Sequence, residues 1–421
     1  MLWNGGCNTI LTGGAGTGKS WTVENEIIGK YSDFCNISVT GMTGLASCNI
    51  KGQTIHSWLN LGCIRPNLKY EDKGLQQNLD RIMYNPYAKW EHIKKTEVLI
   101  IDEISMCDAL TFDIINEILQ WVKKSVKPFG GIQVILVGDN YQLPPVNAKE
   151  LGYYFQSSSY KQGCFKPVIL REQHRQKAGR FLDILNRMRL GNSTQEDIDY
   201  LNYRDLDKAK GVELPDDTVI LYPTNGEVNK ANEIYFNNID APIQTFNADD
   251  TRLIPQLKIN GEYIDDKLGE DLRVPKELKL KKGCSVLLLA NLDISKGVIN
   301  GSKGIYKGII GKDKLLCSFN GRDFDVPKRE FEVWKYDRKA MIRKQFPLML
   351  GHSVTIHKAQ GMTLNKAFVD LTKTFAPHQA YVALSRVKAL EGLYIRGLTL
   401  DKIRVDKNIV EYMNELERIA V

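Results

Sequence analysis

Gly13-Gly14-Ala15-Gly16-Thr17-Gly18-Lys19-Ser20 (GGAGTGKS) follows the apolar run Thr9–Thr12 and leads into a helical pattern from Trp21. The order is strand, glycine-rich loop, helix start. In that context the spacing GxxxxGK[ST] has a mechanical meaning: glycines let backbone N–H groups close around phosphate oxygens, the Lys19 ammonium supplies a point charge, and the Ser20 hydroxyl can ligate magnesium. Gly14, Ala15, Gly16, Thr17, Gly18, Lys19, Ser20 and Trp21 are the expected nucleotide contacts.

Further β-type runs lie at Ile37–Thr40, Val98–Asp102, Val134–Gly138 and Val168–Leu170, with helix-length segments such as Ala109–Lys124 between them. Alternation of this kind predicts an α/β fold with a parallel sheet. A second alternating region begins near Gln176. It holds a helix over Gly179–Leu190 that should stop at Gly191, and a strand at Thr218–Tyr222. It resumes at Leu348–Thr355, Ala367–Asp370 and Leu393–Ile395. Between Asn237 and Phe346 the pattern changes to short β-type runs with glycine turns (Ser285–Leu289, Lys303–Ile310, Leu315–Phe319, Asp323–Pro327), which suits a small inserted β-barrel. The polar stretch Leu59–Lys95, with Pro66 and Pro86, breaks the first alternating region and reads as another insertion. The expected domains are therefore 1–58 with 96–176, an insertion at 59–95, 177–236 with 347–421, and a barrel at 237–346.

Composition narrows the class. With 421 residues, 43% of them hydrophobic, the chain is long enough for several packed domains and is not a low-complexity or disordered sequence. Its longest apolar stretches, such as Val98–Ile101 and Val286–Ala290, fall far short of the about 20 residues needed to cross a bilayer. No secretory leader is visible, and the eight cysteines form no CxxC pair, so an intracellular, soluble protein without membrane attachment is expected. The net charge of +7 is uneven: residues 251–346 hold 21 Lys and Arg against 13 Asp and Glu, a net +8, leaving −1 for the rest. A local basic excess is what a phosphate-binding surface requires.

Two further motifs carry chemistry. Val98–Met106 (VLIIDEISM) is an apolar strand ending in two carboxylates; beside a phosphate loop, Asp102 can hold a magnesium shell and Glu103 can polarise water. Val134–Val146 (VILVGDNYQLPPV) places Gln142 after a third strand, where its amide can both donate to and accept from a γ phosphate.

The motifs together resemble superfamily-one helicases of the Pif type, relatives of RecD and phage Dda. The matching stretches run in order through GGAGTGKS (13–20), VTGMTGLAS (39–47), GQTIHSW (52–58), LIIDEISM (99–106), VGDNYQLPPV (137–146) and LREQHRQKAGRFLDILNRMRLG (170–191). They continue through ILYPTNGEVNKAN (220–232), INGSKG (299–304), VTIHKAQGMTL (354–364) and YVALSRV (381–387). The resemblance implies two RecA-like P-loop domains with a small insertion in the first and a β-barrel in the second. It implies an ATP- and magnesium-dependent DNA helicase that moves 5′ to 3′ on single-stranded DNA and opens single/double-strand junctions, active as a monomer. Roles in DNA replication, repair, recombination and telomere maintenance come with the family, while a translocase subunit that needs partners to unwind and an RNA helicase stand as alternatives.

Carried over residue by residue, the catalytic set is Lys19, Asp102, Glu103, Gln142, Arg175 and Arg386, with Ser20 and Asp102 on the metal. Arg175 and Arg386 match the two γ-phosphate arginines, and Gln360 and Gly361 in HKAQG match residues that couple nucleotide to DNA. Thr40, Thr43, His56, Ser57, Thr355, His357 and Lys358 match positions on the strand backbone, with Asn300, Gly301 and Lys303 as candidates in the basic barrel. Trp90 and Tyr84 are candidates for stacking on a base, whereas Trp58 is expected in the core. Family members grip adenine with a Gln-bearing helix about 20 residues before the phosphate loop; here 12 residues precede Gly13, so either the chain is a minimal or truncated form or adenine is held by other groups, as by stacking alone.

Overall fold

The computed structural model describes residues 6–42, 53–59, 61, 79–80, 83–84, 90–145, 148–207, 214–215, 217–253, 258–259, 262–263, 269, 272, 274–293, 296, 298, 300–311, 313–335 and 338–420. Thr43 and most of the expected insertion at 59–95 lie outside them. Two compact units are present, one comprising Met1–His174, Trp334–Ala340 and Asp406–Val421, the other Arg175–Val333 and Met341–Val405. Among the described residues no helix is long and apolar enough to cross a membrane.

The first unit is built on strands β1 (Thr9–Gly13), β2 (Ile37–Gly41), β3 (Gln53–Thr54), β4 (Val98–Asp102), β5 (Gln133–Gly138) and β6 (Lys166–Leu170). They form one sheet in the order β3-β2-β4-β5-β1-β6, every pairing parallel. β1, β4 and β5 are buried along their whole length, as continuous apolar runs in a sheet covered on both faces must be. Helix α1 starts at Lys19–Trp21 and passes through a π-helical stretch, Thr22–Ile28, into Gly29–Tyr31. Its Val23 and Ile27 pack on Leu11, Ile100 and Val137 of the sheet. Helix α2 (Ala109–Lys123) is capped by Asp108, which accepts from the Thr111 N–H, and ends at Lys124 in the left-handed region (φ 52°).

Sequence patterning placed the C-terminal residues in the second α/β region, but the helix Lys407–Ile419 belongs to the first unit. Its Tyr412 hydroxyl meets those of Tyr154 and Tyr160, the Tyr412 ring stacks on Phe155 at 4.0 Å, and Asn140 Nδ2 donates to Met413 Sδ. Periodicity shows that this helix has an apolar face, not which sheet the face will cover.

In the second unit, helix α3 (Arg180–Leu190) stops at Gly191 (φ 75°), as its sequence predicts. Strand β7 (Val219–Tyr222) leads into helix α4 (Asn225–Asn237), capped by Thr224. The barrel-like region follows: β8 (Ile243–Asn247) pairs antiparallel with β9 (Glu277–Lys281). β10 (Ser285–Leu288), β11 (Lys303–Ile310), β12 (Lys314–Phe319), β13 (Arg322–Pro327) and β14 (Leu348–Leu350) make an antiparallel sheet in the order β13-β12-β11-β10-β14. Leu280, Val286, Leu288, Tyr306, Phe319 and Leu348 fill its core. Several of its basic side chains are ion-paired within it: Lys307 with Asp323 at 2.7 Å, Lys328 with Asp249 at 2.7 Å, and the buried Arg343 bidentate on Asp250 at 2.8 Å. Part of the charge excess is thereby neutralised locally.

The apolar run 348–355 reads as one strand but is two. β14 ends the barrel sheet; after Gly351, β15 (Ser353–Thr355) enters a parallel sheet with β7, β16 (Ala367–Asp370) and β17 (Leu393–Arg396), ordered β15-β7-β16-β17. A Cβ at Gly351 would lie 2.4 Å from the Val286 carbonyl carbon, so the crossover needs glycine.

Next to it, the His352 ring stacks parallel on Tyr235 of α4 at 4.0 Å. Burial first, and then the Lys303 charge, lower its pKa to about 4. The unfolded chain, near 6.5, therefore takes up a proton that the folded chain refuses, and stability present above pH 6.5 is lost as pH falls toward 4. The expected loss attributable to this ring is up to about 3 kcal/mol. His352→Phe keeps the stack and should flatten the fall in thermal midpoint between pH 7 and 4.5; equal slopes in variant and parent would refute this.

Candidate nucleotide and strand site

The phosphate loop is held from three sides. Gly13 pairs with Leu170, so closely that a Cβ there would be 2.6 Å from both the Leu170 carbonyl and Thr17 Oγ1. Gly16 (φ 86°) and Gly18 (φ 87°) take the left-handed conformation that glycine adopts without strain. Thr17 Oγ1 donates to the Gly14 carbonyl at 3.0 Å. Lys19 Nζ donates to the carbonyls of Gly13 (2.9 Å) and Gly14 (3.0 Å), which holds the ammonium over the loop. Ser20 is exposed, and Trp21, 60% exposed, presents its indole one residue further on.

The segment after β6 closes the loop's outer side: Gln173 Nε2 donates to the Ala15 carbonyl (2.7 Å) and the His174 N–H to that of Gly16 (2.9 Å). Arg175 alone of this stretch is among the expected site residues. Gln173 and His174 lay within the quoted LREQHRQ motif, but nothing in the string says that they grip loop carbonyls.

β4 delivers the acidic pair. Asp102 is buried, and its Oδ1 accepts the Glu103 N–H at 2.8 Å. Burial, and then the Glu103 charge, push its pKa well above the usual carboxylate range, while that hydrogen bond and the Lys19 charge pull it back. A buried carboxylate beside a second one and an ammonium gains by meeting a divalent cation. With the Ser20 hydroxyl it fits magnesium, which keeps most of its waters and needs few protein ligands. Glu103 itself adopts a left-handed backbone (φ 54°), which ends the strand there. Gln142 follows β5, buried, its Nε2 at 3.5 Å from Asp139 Oδ2. Lys19, Ser20, Asp102, Glu103 and Gln142 thus belong to one unit.

Arg175 and Arg386 belong to the other, and the structure brings them together around Ser385. Arg175 Nη1 donates to the Ser385 carbonyl (3.2 Å), and Arg386 Nη2 to the Ser385 hydroxyl (3.0 Å). Arg386 is 1% exposed and also donates from Nε to the Val382 carbonyl (2.9 Å). Gln176, absent from the expected site, ties the same loop by donating to the Ser385 (3.0 Å) and Val387 (2.9 Å) carbonyls. Helix α5 (Ile356–Ala359) leads to Gln360, buried, and Gly361 (φ 79°).

The expected strand contacts fare unevenly. Thr40 is buried, its hydroxyl committed to the Ile100 carbonyl at 2.8 Å, and Thr355 is buried as the cap of α5, accepting the Lys358 N–H at 3.2 Å. Thr40 spends its proton on the neighbouring strand, whereas Thr355 accepts as a helix cap and keeps its own O–H proton to donate. Lys303 Nζ donates to the Thr218 carbonyl, and Gly301 packs on Met362, its Cβ position 3.3 Å from that of the methionine. Asn300 takes part in the same turn, its N–H donating to Asn291 Oδ1 at 2.9 Å. His56 and Ser57 are half-buried on a short helix, His357 is half-buried with its pKa lowered by burial, and Lys358 is exposed. Thr43 falls outside the described residues. Trp58 is core, edge-on to His92, and Trp90 is buried against Trp121, which leaves Tyr84 (69% exposed) as the accessible ring of the three.

A phosphate loop with an acidic strand end in one α/β unit, and a second such unit carrying paired arginines, define the class of P-loop motor proteins with RecA-like domains. Residues 2–199 match the family described as PIF1-like helicase and residues 268–308 the one described as DNA helicase Pif1, 2B domain. The ATP-dependent DNA helicase Pif1 of Bdellovibrio bacteriovorus is 30% identical over 99% of this chain and 90% of its own length. The ATP-dependent DNA helicase PIF1 of Emericella nidulans is 31% identical over 98% of this chain and 61% of its own length. A Bacteroides Pif1 structure in complex with ADP-AlF3 and single-stranded DNA superposes with a TM-score of 0.66 at 28% identity, over 99% and 95% of the two chains. The chain belongs to the PIF1-like helicase family. It spans about 60% of the length of the first curated relatives it matches.

Proposed function

We propose that the chain is an ATP-dependent DNA helicase that moves 5′ to 3′ along one strand and separates duplex at a single/double-strand junction. The observation that carries this reading is the Lys19–Asp102–Glu103 grouping at the mouth of the phosphate loop, in a chain whose relatives are DNA helicases. Lys19 and the loop N–H groups hold the β and γ phosphates, and Trp21 offers a face to the base. Ser20 and Asp102 hold magnesium, which supplies charge neutralisation on the phosphates. Glu103 orients the attacking water, Gln142 senses the γ phosphate, and Arg175 and Arg386 spread the charge that develops as the bond to the leaving diphosphate breaks.

In this reading 59–95 is a wedge insertion and 237–346 the inserted barrel of the second motor domain, and the active form is a monomer. Gln360 and Gly361 couple hydrolysis to strand grip by Thr40, Thr43, His56, Ser57, Asn300, Gly301, Lys303, Thr355, His357 and Lys358. These are donors that hold phosphate without reading sequence.

The test is a duplex with a 5′ single-stranded tail. The purified chain with ATP and magnesium should separate it and leave a 3′-tailed duplex intact. ATP hydrolysis without separation would favour a motor subunit that needs partners, and stronger stimulation of hydrolysis by RNA than by DNA would overturn the DNA assignment.

A further inference from the structure

The parallel sheet of the second unit has a polar cavity of about 40 Å³ at the edge where its strands begin. Asp217 and Val219 open β7 there, and Lys366 precedes β16. Thr355 and the other expected strand contacts of this sheet stand at the opposite, carboxyl edge, about 10 Å away along a four-residue strand, whereas Gly301 and Lys303, expected strand contacts of the barrel, line the cavity itself. The barrel closes the cavity with Ser302, Lys303 and Asn320, and the motor side with Thr363, Lys366 and Lys388. Three lysines thus line a space with residues bearing hydroxyl and amide groups, against one carboxylate: Lys303 Nζ donates to the Thr218 carbonyl, and Asp217 pairs with Lys366 at 2.9 Å. Lys388 is exposed and has no side-chain partner among the described residues.

The cavity is also one hydrogen-bond step from the arginine loop. The Leu364 N–H donates to the Arg386 carbonyl (2.9 Å) and the Lys388 N–H to that of Leu364 (3.2 Å). Whatever holds Thr363 and Lys388 therefore also holds the backbone on either side of Arg386.

We propose that this cavity is an additional phosphate site: it takes one backbone phosphate of a nucleic-acid strand between barrel and sheet, through Lys388, Lys366 and the neighbouring Ser302 and Thr363 hydroxyls. Occupancy steadies the Arg386 loop, so strand binding here raises ATP hydrolysis. The site rests on the helicase reading above. A tetrahedral oxyanion with one or two charges matches the excess of ammonium groups, and free inorganic phosphate shares that chemistry.

The experiment uses the full chain, a fluorescein-labelled oligothymidylate, and Lys388→Gln with Lys388→Arg as the charge-keeping control. Lys388→Gln should weaken strand binding about threefold near physiological salt and lower the slope of log affinity against log salt by about 0.7, the signature of one lost phosphate contact on a single strand. The oligonucleotide concentration giving half-maximal ATPase stimulation should rise by the same factor, DNA-independent hydrolysis should not change, and Lys388→Arg should behave as the parent. If Lys388→Gln leaves slope and stimulation unchanged while the parent binds the strand, this site is wrong and the helicase reading stands. A parent that binds no strand overturns both. If Lys388→Gln abolishes thermal stabilisation by inorganic phosphate at constant ionic strength yet leaves strand binding intact, the cavity is a free-anion site and the strand assignment falls.

Discussion

Lys19→Ala is expected to reduce ATP turnover by about 1,000-fold, the upper range for removing one preorganised electrostatic group. The two carbonyl bonds that hold the ammonium over the loop mean that its charge is in place before the reaction begins, and no backbone N–H can substitute for a full positive charge at that point. Strand binding should stay within about twofold of the parent, because the expected phosphate contacts of the strand lie elsewhere in the chain and contribute through counterion release. The two lost bonds come from a charged group and should cost at most about 1.5–3 kcal/mol each, less for a half-buried side chain, and a thermal midpoint checks that the variant stays folded. The decisive readings are steady-state ATPase and unwinding of a 5′-tailed duplex by one preparation. Duplex separation near the parental rate would refute the proposed mechanism.

Arg386→Ala is expected to lower kcat by about 1,000-fold or more, with a small change in KM, as for other arginines that act mainly on the transition state. In the structure this guanidinium is 1% exposed and spends its donors on Val382 and Ser385. Hydrogen bonds to a charged group are worth about 1.5–3 kcal/mol each, so release toward a phosphate must be compensated by contacts made there. Arg386→Lys should fail nearly as badly, since an ammonium lacks the planar fork that serves two acceptors at once. Because Arg175 shares Ser385 with it, the two substitutions should be non-additive in a double-mutant cycle. A kcat for Arg386→Ala within tenfold of the parent, in a variant whose thermal midpoint is preserved, would exclude a catalytic role.

Much of this was legible from residues alone, for identifiable reasons. GGAGTGKS and VLIIDEISM mark a phosphate loop and an acidic strand end because the chemistry demands those groups at those spacings, and the buried strands β1, β4 and β5 are readable because a two-sided sheet tolerates only apolar runs. Gly191 stops α3 where glycine alone takes the left-handed turn without strain. Other features were not legible. Thr40 and Thr355 have the polarity of strand contacts, and the bonds their hydroxyls make within the fold, to the Ile100 carbonyl and from the Lys358 N–H, are set by a neighbour far away in sequence or by helix-cap geometry.

What the amino-acid order by itself determined is the local chemistry: which segments are strands, where the phosphate loop lies, and which charged groups accompany it. Those properties depend on contiguous residues and on side-chain periodicity. Tertiary structure alone decided that the Lys407–Ile419 helix joins the first unit, that 348–355 splits between two sheets at Gly351, that Arg175 and Arg386 meet at Ser385, and that three lysines surround one cavity. Each of these is a long-range pairing, chosen by shape and by the need to satisfy buried polar groups, which no short window of sequence contains.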